Sequence, residues 1–288
     1  MKSLYKLPGF LLVCFGGFCL SWGGYIIRSF EQASIWQILF IRSFFFLLAL
    51  LLFLFIIYRK NTFKIIKSSG FPGALGGFVM SFSFVAFVVS MSSTNVANVV
   101  FIISTQTMFL AIFGYFYLKE KVSVIGSSSI FLAMSGILIM VGDSISKGSL
   151  FGNLVALAIP INFAILVMII RKYKNLDMVP AIFYSGIFSC IYGIILSESF
   201  YFTSHDIFMG FLLGVPQLAF GFICITIGSR TTPSATIGLL MLSETLFAPL
   251  WVWLFLNEIP PLSVFVGGAV IILALILKSF DKKQISHN

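Results

Sequence analysis

Charged residues are scarce in this sequence. Asp, Glu, Lys and Arg make up 9% of its 288 residues, whereas a soluble globular protein has about 25%. The two histidines, His205 and His287, fall in a predicted loop and in the tail, so a metalloenzyme or an intramembrane protease would lack its histidines. The four cysteines show no metal-ligand spacing, and we interpret them as small packing residues. These absences argue against an enzyme, and we expect no cofactor and no metal.

Long apolar segments fill the chain instead, each about 20 residues long. An α-helix needs that length to cross a hydrocarbon core of about 30 Å, and it satisfies its own backbone hydrogen bonds in lipid. The segments cover about 7–27, 34–58, 69–92, 96–118, 122–142, 149–170, 178–197, 207–229, 233–256 and 260–277. The sequence therefore predicts an all-α membrane protein with ten transmembrane helices, surrounded by membrane lipid.

The basic residues are unevenly distributed between alternate loops. If the amino terminus is cytoplasmic, 15 Lys and Arg residues lie on the inner side and only Arg28 and Lys147 on the outer side. This positive-inside pattern predicts cytoplasmic termini in a bacterial inner (plasma) membrane. It also accounts for the net charge of +9 without a nucleic-acid partner. The first segment has no small-x-small cleavage site, so we expect a retained helix rather than a signal peptide.

The two halves of the chain are related. A shift of 138 residues lays Thr94–Glu120 over Thr232–Glu258 with six identities in 27 positions, and it also matches helix boundaries and segment number. Five spans per half is an odd number, so the halves must have opposite orientations. The sequence thus predicts a 5+5 inverted repeat, 1–143 and 144–288, in one transmembrane domain. Secondary transporters use this architecture for alternating access.

The segment Ser243–Glu258 resembles the motif near the end of EamA-type drug/metabolite transporters, in which a Glu-Pro pair precedes an apolar helix closed by a Gly-Glu pair. Ser104–Glu120 resembles the corresponding motif of the first half. The sequence departs from the pattern at Thr245, where the family often has Pro, and at Lys119 and Asn257, where it often has Gly. The resemblance implies a ten-helix carrier that exports or exchanges small metabolites.

Two polar residues at matching repeat positions lie in the middle of their segments. Glu244 is an acid about 15 Å from either membrane surface, and such a group is costly unless it is paired, hydrated or protonated. It is predicted to bind a proton or a positive group of a substrate, or else to join two helices. Gln106 is its repeat mate. Both are expected to face one central cavity, although a helix-to-helix hydrogen bond explains Gln106 equally well.

Small polar residues recur on the same two segments. Asn95, Asn98 and Thr105 lie on one face of the fourth segment. Ser243 and Thr236 share a face of the ninth. These stripes are typical of a hydrated pathway and nearly as typical of close helix packing.

Three further candidates have competing interpretations. Trp22 offers a flat binding face, but an interfacial anchor is the stronger interpretation. Asn162 follows Pro160, which should free a carbonyl and bend the sixth helix. Arg42 could bind a substrate carboxylate, but snorkelling outward or pairing with Glu31 is favoured.

The leading functional prediction is a secondary active transporter, an exporter or exchanger of small polar metabolites, with amino acids or related compounds as the favoured class. No ATP-binding motif is present, so uphill flux would need a coupled proton or a counter-substrate. A channel or facilitator, or a non-transporting scaffold subunit, are the alternatives. The sequence does not specify an oligomeric state.

Overall fold

The structure is a computed structural model that describes residues 6–94, 96–141, 150–256 and 262–280. Within these ranges it contains α-helices joined by short connections, and no β-strand. The helices are α1 (Gly9–Leu20), α2 (Gly23–Arg28), α3 (Ile35–Tyr58), α4 (Thr62–Ser68), α5 (Gly70–Ser93), α6 (Val96–Ser104), α7 (Gln106–Leu118), α8 (Val124–Val141), α9 (Leu150–Ala156), α10 (Ala158–Lys172), α11 (Val179–Leu196), α12 (Ser204–Leu212), α13 (Phe220–Ser229), α14 (Ser234–Leu256) and α15 (Leu262–Ser279). The chain is therefore all-α, as predicted.

Eight helical stretches in the described ranges are long and apolar enough to cross a membrane. Two shorter apolar helices, Val124–Ile139 and Leu262–Lys278, occupy the positions of the fifth and tenth predicted segments. Large apolar side chains on the outside of the bundle, such as Phe71, Phe116 and Ile195, are more than two-thirds exposed, as expected for a lipid-facing surface. The structure thus supports eight of the predicted spans, and the count of ten stays a prediction.

Four of the stretches are interrupted near their middle. One residue, Thr105, separates α6 from α7, and Leu157 separates α9 from α10. Pro160 explains the second break, because it has no N–H to donate to the carbonyl four residues earlier. A further interruption, at 21–22, separates α1 from α2, and a π-helical segment, Leu213–Ala219, joins α12 to α13 and contains Pro216.

The packing of the helices follows the repeat. Helix α10 of the second half packs against α5 and α7 of the first half. Helix α1 of the first half packs against the corresponding helices of the second half, α13 and α14. The equivalent pairs α3 with α11, α7 with α14 and α8 with α15 also pack against each other. Exchanging the two halves therefore maps each of these contacts onto another contact or onto itself.

Contacts along α14 give the relative direction of the two halves. Ser104 Oγ lies 2.6 Å from Thr245 Oγ1, and Thr107 Oγ1 donates to the Gly238 carbonyl over 3.0 Å. A Cβ on Gly114 would meet the Cβ of Ser234 at 2.9 Å. Residue numbers rise on one helix as they fall on the other, so these equivalent helices are antiparallel. An inverted repeat requires its equivalent helices to run antiparallel.

Candidate functional site

A cavity of about 60 Å³ lies between the two halves. One water molecule needs roughly 10–15 Å³, so the cavity is large enough for several water-sized groups. Its walls are mostly apolar and include five polar side chains, one of them a serine. The lining residues are Leu20, Arg42, Met80, Ser83, Phe84, Phe87, Ile103, Gln106, Ile159, Phe163, Gln217, Leu218, Phe222, Met241 and Glu244.

Much of this lining is repeated by the two halves. Four pairs of lining residues are related by the offset of 138 residues: Met80 with Leu218, Phe84 with Phe222, Ile103 with Met241, and Gln106 with Glu244. The rings of Phe84 and Phe222 meet edge to face with 5.5 Å between their centroids. The cavity therefore lies where the two halves meet symmetrically, and the repeat offset extends beyond the segment in which the sequence first revealed it.

Each interrupted helical stretch contributes a lining residue close to its interruption. Gln106 follows the break at Thr105, Leu20 precedes the break at 21–22, and Ile159 follows the break at Leu157. Gln217 belongs to the π-helical segment itself. Interrupted helices and π-bulges are common at functional sites because they leave backbone groups unpaired and redirect side chains.

Arg42 points into this cavity from α3. Its side chain is 1% exposed, and its Nη2 donates to the Phe84 carbonyl over 2.9 Å. The guanidinium carbon also lies 5.3 Å from the ring centroid of Phe84 and 5.6 Å from that of Phe87, which is cation–π range. Arg42 Nε is buried without a hydrogen-bond partner. The favoured sequence interpretation was therefore wrong: Arg42 neither snorkels outward nor pairs with the exposed Glu31.

Glu244 and Gln106 line the cavity from α14 and α7. Neither side chain has a hydrogen bond or an ion pair to another residue in the part of the chain that the structure describes. Among the described residues, neither side chain therefore forms the hydrogen-bonded link between helices that was the alternative interpretation. Their role in binding a substrate or a proton stays a prediction.

Gln217 was not among the predicted site residues. Its side chain is 5% exposed, and its Nε2 donates to the Leu20 carbonyl over 3.1 Å, which joins the π-helical segment to the end of α1. Its Oε1 is buried and has no hydrogen-bond partner. The adjacent Pro216 was the available sequence signal, because a proline within an apolar span marks an interruption.

Four other predicted residues lie outside the lining. Asn98 Nδ2 donates to Asn153 Oδ1 over 3.4 Å between α6 and α9. Thr105 bonds within its own turn, and Ser243 Oγ donates to the Cys14 carbonyl over 3.1 Å. Asn162 is half-buried on α10 away from the cavity. The polar stripes therefore serve helix contacts at Asn98 and Ser243, while Asn95 lies outside the described residues.

Trp22 belongs to an aromatic cluster between α1 and α14 rather than to the cavity. It stacks on Trp251 with 3.9 Å between ring centroids, and Trp251 Nε1 donates to Ser21 Oγ over 2.7 Å. The aromatic cluster consists of Phe18, Trp22, Phe247, Trp251 and Phe255. Trp251 follows Glu244 by seven residues, about 10 Å along the helix. The aromatic cluster thus lies beyond Glu244, toward the end of the bundle at which α14 ends.

A polar cluster lies beyond the other end, about 15 Å before Glu244 along α14. Arg171 forms an ion pair with Glu120 and donates to the carbonyls of Ser229 and Thr232. Glu120 also accepts the backbone N–H of Ser234 over 2.9 Å. Glu120 thus caps the start of α14. We call Glu120, Arg171, Ser229, Thr232 and Ser234 the polar cluster. The repeat mate of Glu120 is Glu258, which lies outside the described residues.

The comparisons with known proteins agree with this architecture. No curated protein matches the sequence. A solved crystal structure, described only as that of a protein, aligns with 97% of this chain and 99% of its own chain, with a TM-score of 0.79 and 13% identity. That likeness shows the fold alone. The model of the EamA-like transporter family matches twice, at residues 7–142 and 150–280, once in each half. The chain therefore belongs to the EamA-like transporter family.

Proposed function

We propose that this protein is a secondary active transporter that exports or exchanges small polar metabolites, with amino acids or related compounds as the favoured class. The observation that supports this best is the cavity at the junction of the two repeats. It combines apolar walls with Arg42, Gln106, Gln217 and Glu244. Ligand sites have this character, because a few polar groups fix orientation while apolar walls exclude water.

The positions of the two clusters support the proposal of alternating access. In the proposed cycle the polar cluster separates to open the end of the bundle at which α1 begins, since Gly9 packs against Thr232 there. The aromatic cluster separates to open the opposite end. By the charge distribution of the loops, the polar-cluster end faces the cytoplasm. Packed clusters on both sides of the cavity along α14 favour a carrier over a continuous channel.

Glu244 is the proposed site for a coupled proton or for a positive group of the substrate. It is the acidic side chain of the cavity lining, and a carboxyl inside a membrane protein is a candidate functional group by default because it is costly to keep there. A proton-coupled cycle requires this carboxyl to be exposed to each side in turn. An exchange cycle requires only that it bind the substrate in both states.

Flux of labelled amino acids, nucleosides and polyamines into proteoliposomes, with and without a proton gradient, tests this proposal. We expect saturable flux of one solute class and the loss of its pH response in Glu244→Gln. The exposed Glu198→Gln provides a matched control, since it makes the same chemical change in a connecting segment. Single-channel currents would favour the channel alternative, and absence of any flux from folded, oriented protein would favour the scaffold.

A further inference from the structure

The connection between α3 and α5 carries a cluster of cations, and we call its residues 59–68 the basic elbow. Its basic residues are all exposed, and they are Arg59, Lys60, Lys64 and Lys67. No Asp or Glu occurs in the sequence between Glu31 and Glu120. In the part of the chain that the structure describes, none of the four cations forms an ion pair. Their positive charge is therefore available to a partner outside the protein.

Length and packing place the basic elbow along the membrane surface. The helical stretch Ile35–Ser68 has 34 residues and would be about 51 Å long if straight, whereas the hydrocarbon core is about 30 Å thick. The chain turns at Arg59, whose φ of 49° ends α3. Helix α4 then packs beside α3, where the ring of Phe63 meets the ring of Phe55 edge to face with 5.9 Å between centroids. Phe63 therefore lies beside the last turn of a membrane-spanning helix.

Phe63 and the neighbouring cations suit the two parts of a lipid molecule. Phe63 is 69% exposed and Phe55 is 39% exposed, so their contact lies on the outside of the bundle, where acyl chains pack. Lys64 and Lys67 are three residues apart on α4 and lie on one side of it, and Lys60 comes one turn earlier. Apolar rings beside cations are typical of segments that lie in the headgroup region of a membrane.

Hydrogen bonds hold the basic elbow in this position. The buried Thr62 Oγ1 lies 2.8 Å from the carbonyl oxygen of Arg59 and 3.2 Å from that of Leu54. From α11, the Tyr184 hydroxyl donates to the Ile66 carbonyl over 3.3 Å. The exposed surface is therefore preformed, and a ligand can bind without the entropic cost of ordering a loop.

The second repeat shows that the fold does not require these cations. The segment at the offset of 138, residues 197–206, has no Lys or Arg and contains Glu198 and Asp206. Phe63 corresponds to Tyr201, which is 75% exposed. The exposed ring is thus common to both repeats, while the cation cluster belongs to the first alone. The positive-inside rule explains the side of the membrane on which the cations lie, but it does not explain why four of them gather beside an exposed ring.

We propose that the basic elbow binds an anionic phospholipid, with its phosphate on the ammonium groups of Lys60, Lys64 and Lys67 and its acyl chains against Phe63 and Phe55. Clusters of four or more Lys and Arg residues directly after a membrane span attract anionic lipids, and each cation near the surface is worth about fivefold in affinity. A zwitterionic headgroup has the same phosphate but no net charge, so it gains chiefly the apolar contact. This inference does not depend on the transport function.

Native mass spectrometry of the full chain in detergent tests the proposal, because it measures the dissociation constant of the first bound lipid. Phosphatidylglycerol and phosphatidylcholine with identical acyl chains are compared. The unmodified protein should prefer phosphatidylglycerol by at least about tenfold, and the preference should shrink as the salt concentration rises. The triple variant Lys60→Gln, Lys64→Gln, Lys67→Gln should reduce it to within about twofold. Because the preference is a ratio within one protein, a loss of folded protein cancels, and Lys64→Gln alone is a milder variant.

Two further variants separate local charge from total charge and from apolar contact. The control triple Lys119→Gln, Lys172→Gln, Lys174→Gln removes the same charge from exposed positions that the loop charges assign to the same membrane side, and it should retain the preference. Phe63→Ala should weaken the binding of both lipids by roughly three- to tenfold and leave their ratio unchanged.

Four results would overturn the proposed lipid site. The first is equal affinity of the unmodified protein for the two lipids, and the second is a preference that survives the triple variant of the basic elbow. The third is an equal loss in both triple variants, which would mean that total charge attracts the lipid. The fourth is loss of the preference in excess inorganic phosphate at constant ionic strength, which would identify a site for free phosphate instead.

Discussion

Neutralising Glu120 should open the end of the bundle that the polar cluster covers. Glu120→Gln removes the ion pair with Arg171 but leaves an amide oxygen that can still accept the Ser234 N–H. The two charged side chains are 17% and 20% exposed. Their pairing therefore lies between that of a surface pair, at most about 1 kcal/mol, and that of a fully buried pair, at about 3–5 kcal/mol.

A loss of about 1.4–2 kcal/mol corresponds to an approximately 10- to 30-fold larger open population. Ser83 is a suitable reporter because it lines the cavity and is 1% exposed. Ser83→Cys, in a background without the four native cysteines, is labelled with a membrane-impermeant thiol reagent added at the end where α1 begins. The labelling rate should rise by the same factor in Glu120→Gln and stay unchanged in Glu198→Gln.

Two results would refute this reasoning. A labelling rate that changes by less than twofold would mean that the ion pair does not hold the cluster closed. A rise only when the reagent is added at the opposite end would mean that the two ends of the cavity have been assigned incorrectly. Arg171→Gln should reproduce the effect of Glu120→Gln, and the double variant should add little, because both remove one interaction.

Three further changes test the packing. Gly77→Val should destabilise the contact between α5 and α11 by about 1–3 kcal/mol, because even a Cβ would lie 2.5 Å from the Ala181 carbonyl oxygen; a thermal unfolding midpoint unchanged in detergent would contradict this. Trp251→Phe keeps an aromatic ring but loses the hydrogen bond to Ser21, so the free energy of unfolding should fall by about 1 kcal/mol. Asp206→Asn replaces a carboxylate that accepts two backbone N–H groups from the segment before α3. Amide hydrogen exchange in that segment should quicken roughly tenfold. Unchanged exchange would mean that Asp206 does not hold the segment in place.

The sequence predicted the helical segments closely because length and apolar composition determine membrane spans. It also predicted that Gln106 and Glu244 would face one cavity, since repeat mates near the middle of equivalent helices that pack together lie on the same level. The breaks at Thr105 and within Leu213–Ala219 were less predictable. Only Pro216 marked one of them, and Thr105 carries no such signal.

The orientation of Arg42 and the fate of the polar stripes could not be predicted from periodicity. In a soluble helix the apolar face identifies the core, but here lipid and protein interior are both apolar, so the two faces of a helix look alike. Arg42 faces inward because its guanidinium donates to the Phe84 carbonyl and makes cation–π contacts with two phenylalanine rings. Those groups come from α5, and Phe84 lies 42 residues from Arg42 in the chain.

The symmetric lining of the cavity has an electrical consequence. A site at the junction of two exchanging halves is close to a fixed point, because each half moves while their common centre stays in place. Arg42 and Glu244 would then move little through the membrane field, where a full crossing of one charge is worth about 2.3 kcal/mol per 100 mV. An amino acid zwitterion, the favoured substrate class, has no net charge of its own to move. Translocation of such a substrate would therefore generate no current, and any measured current would report the coupled ion alone.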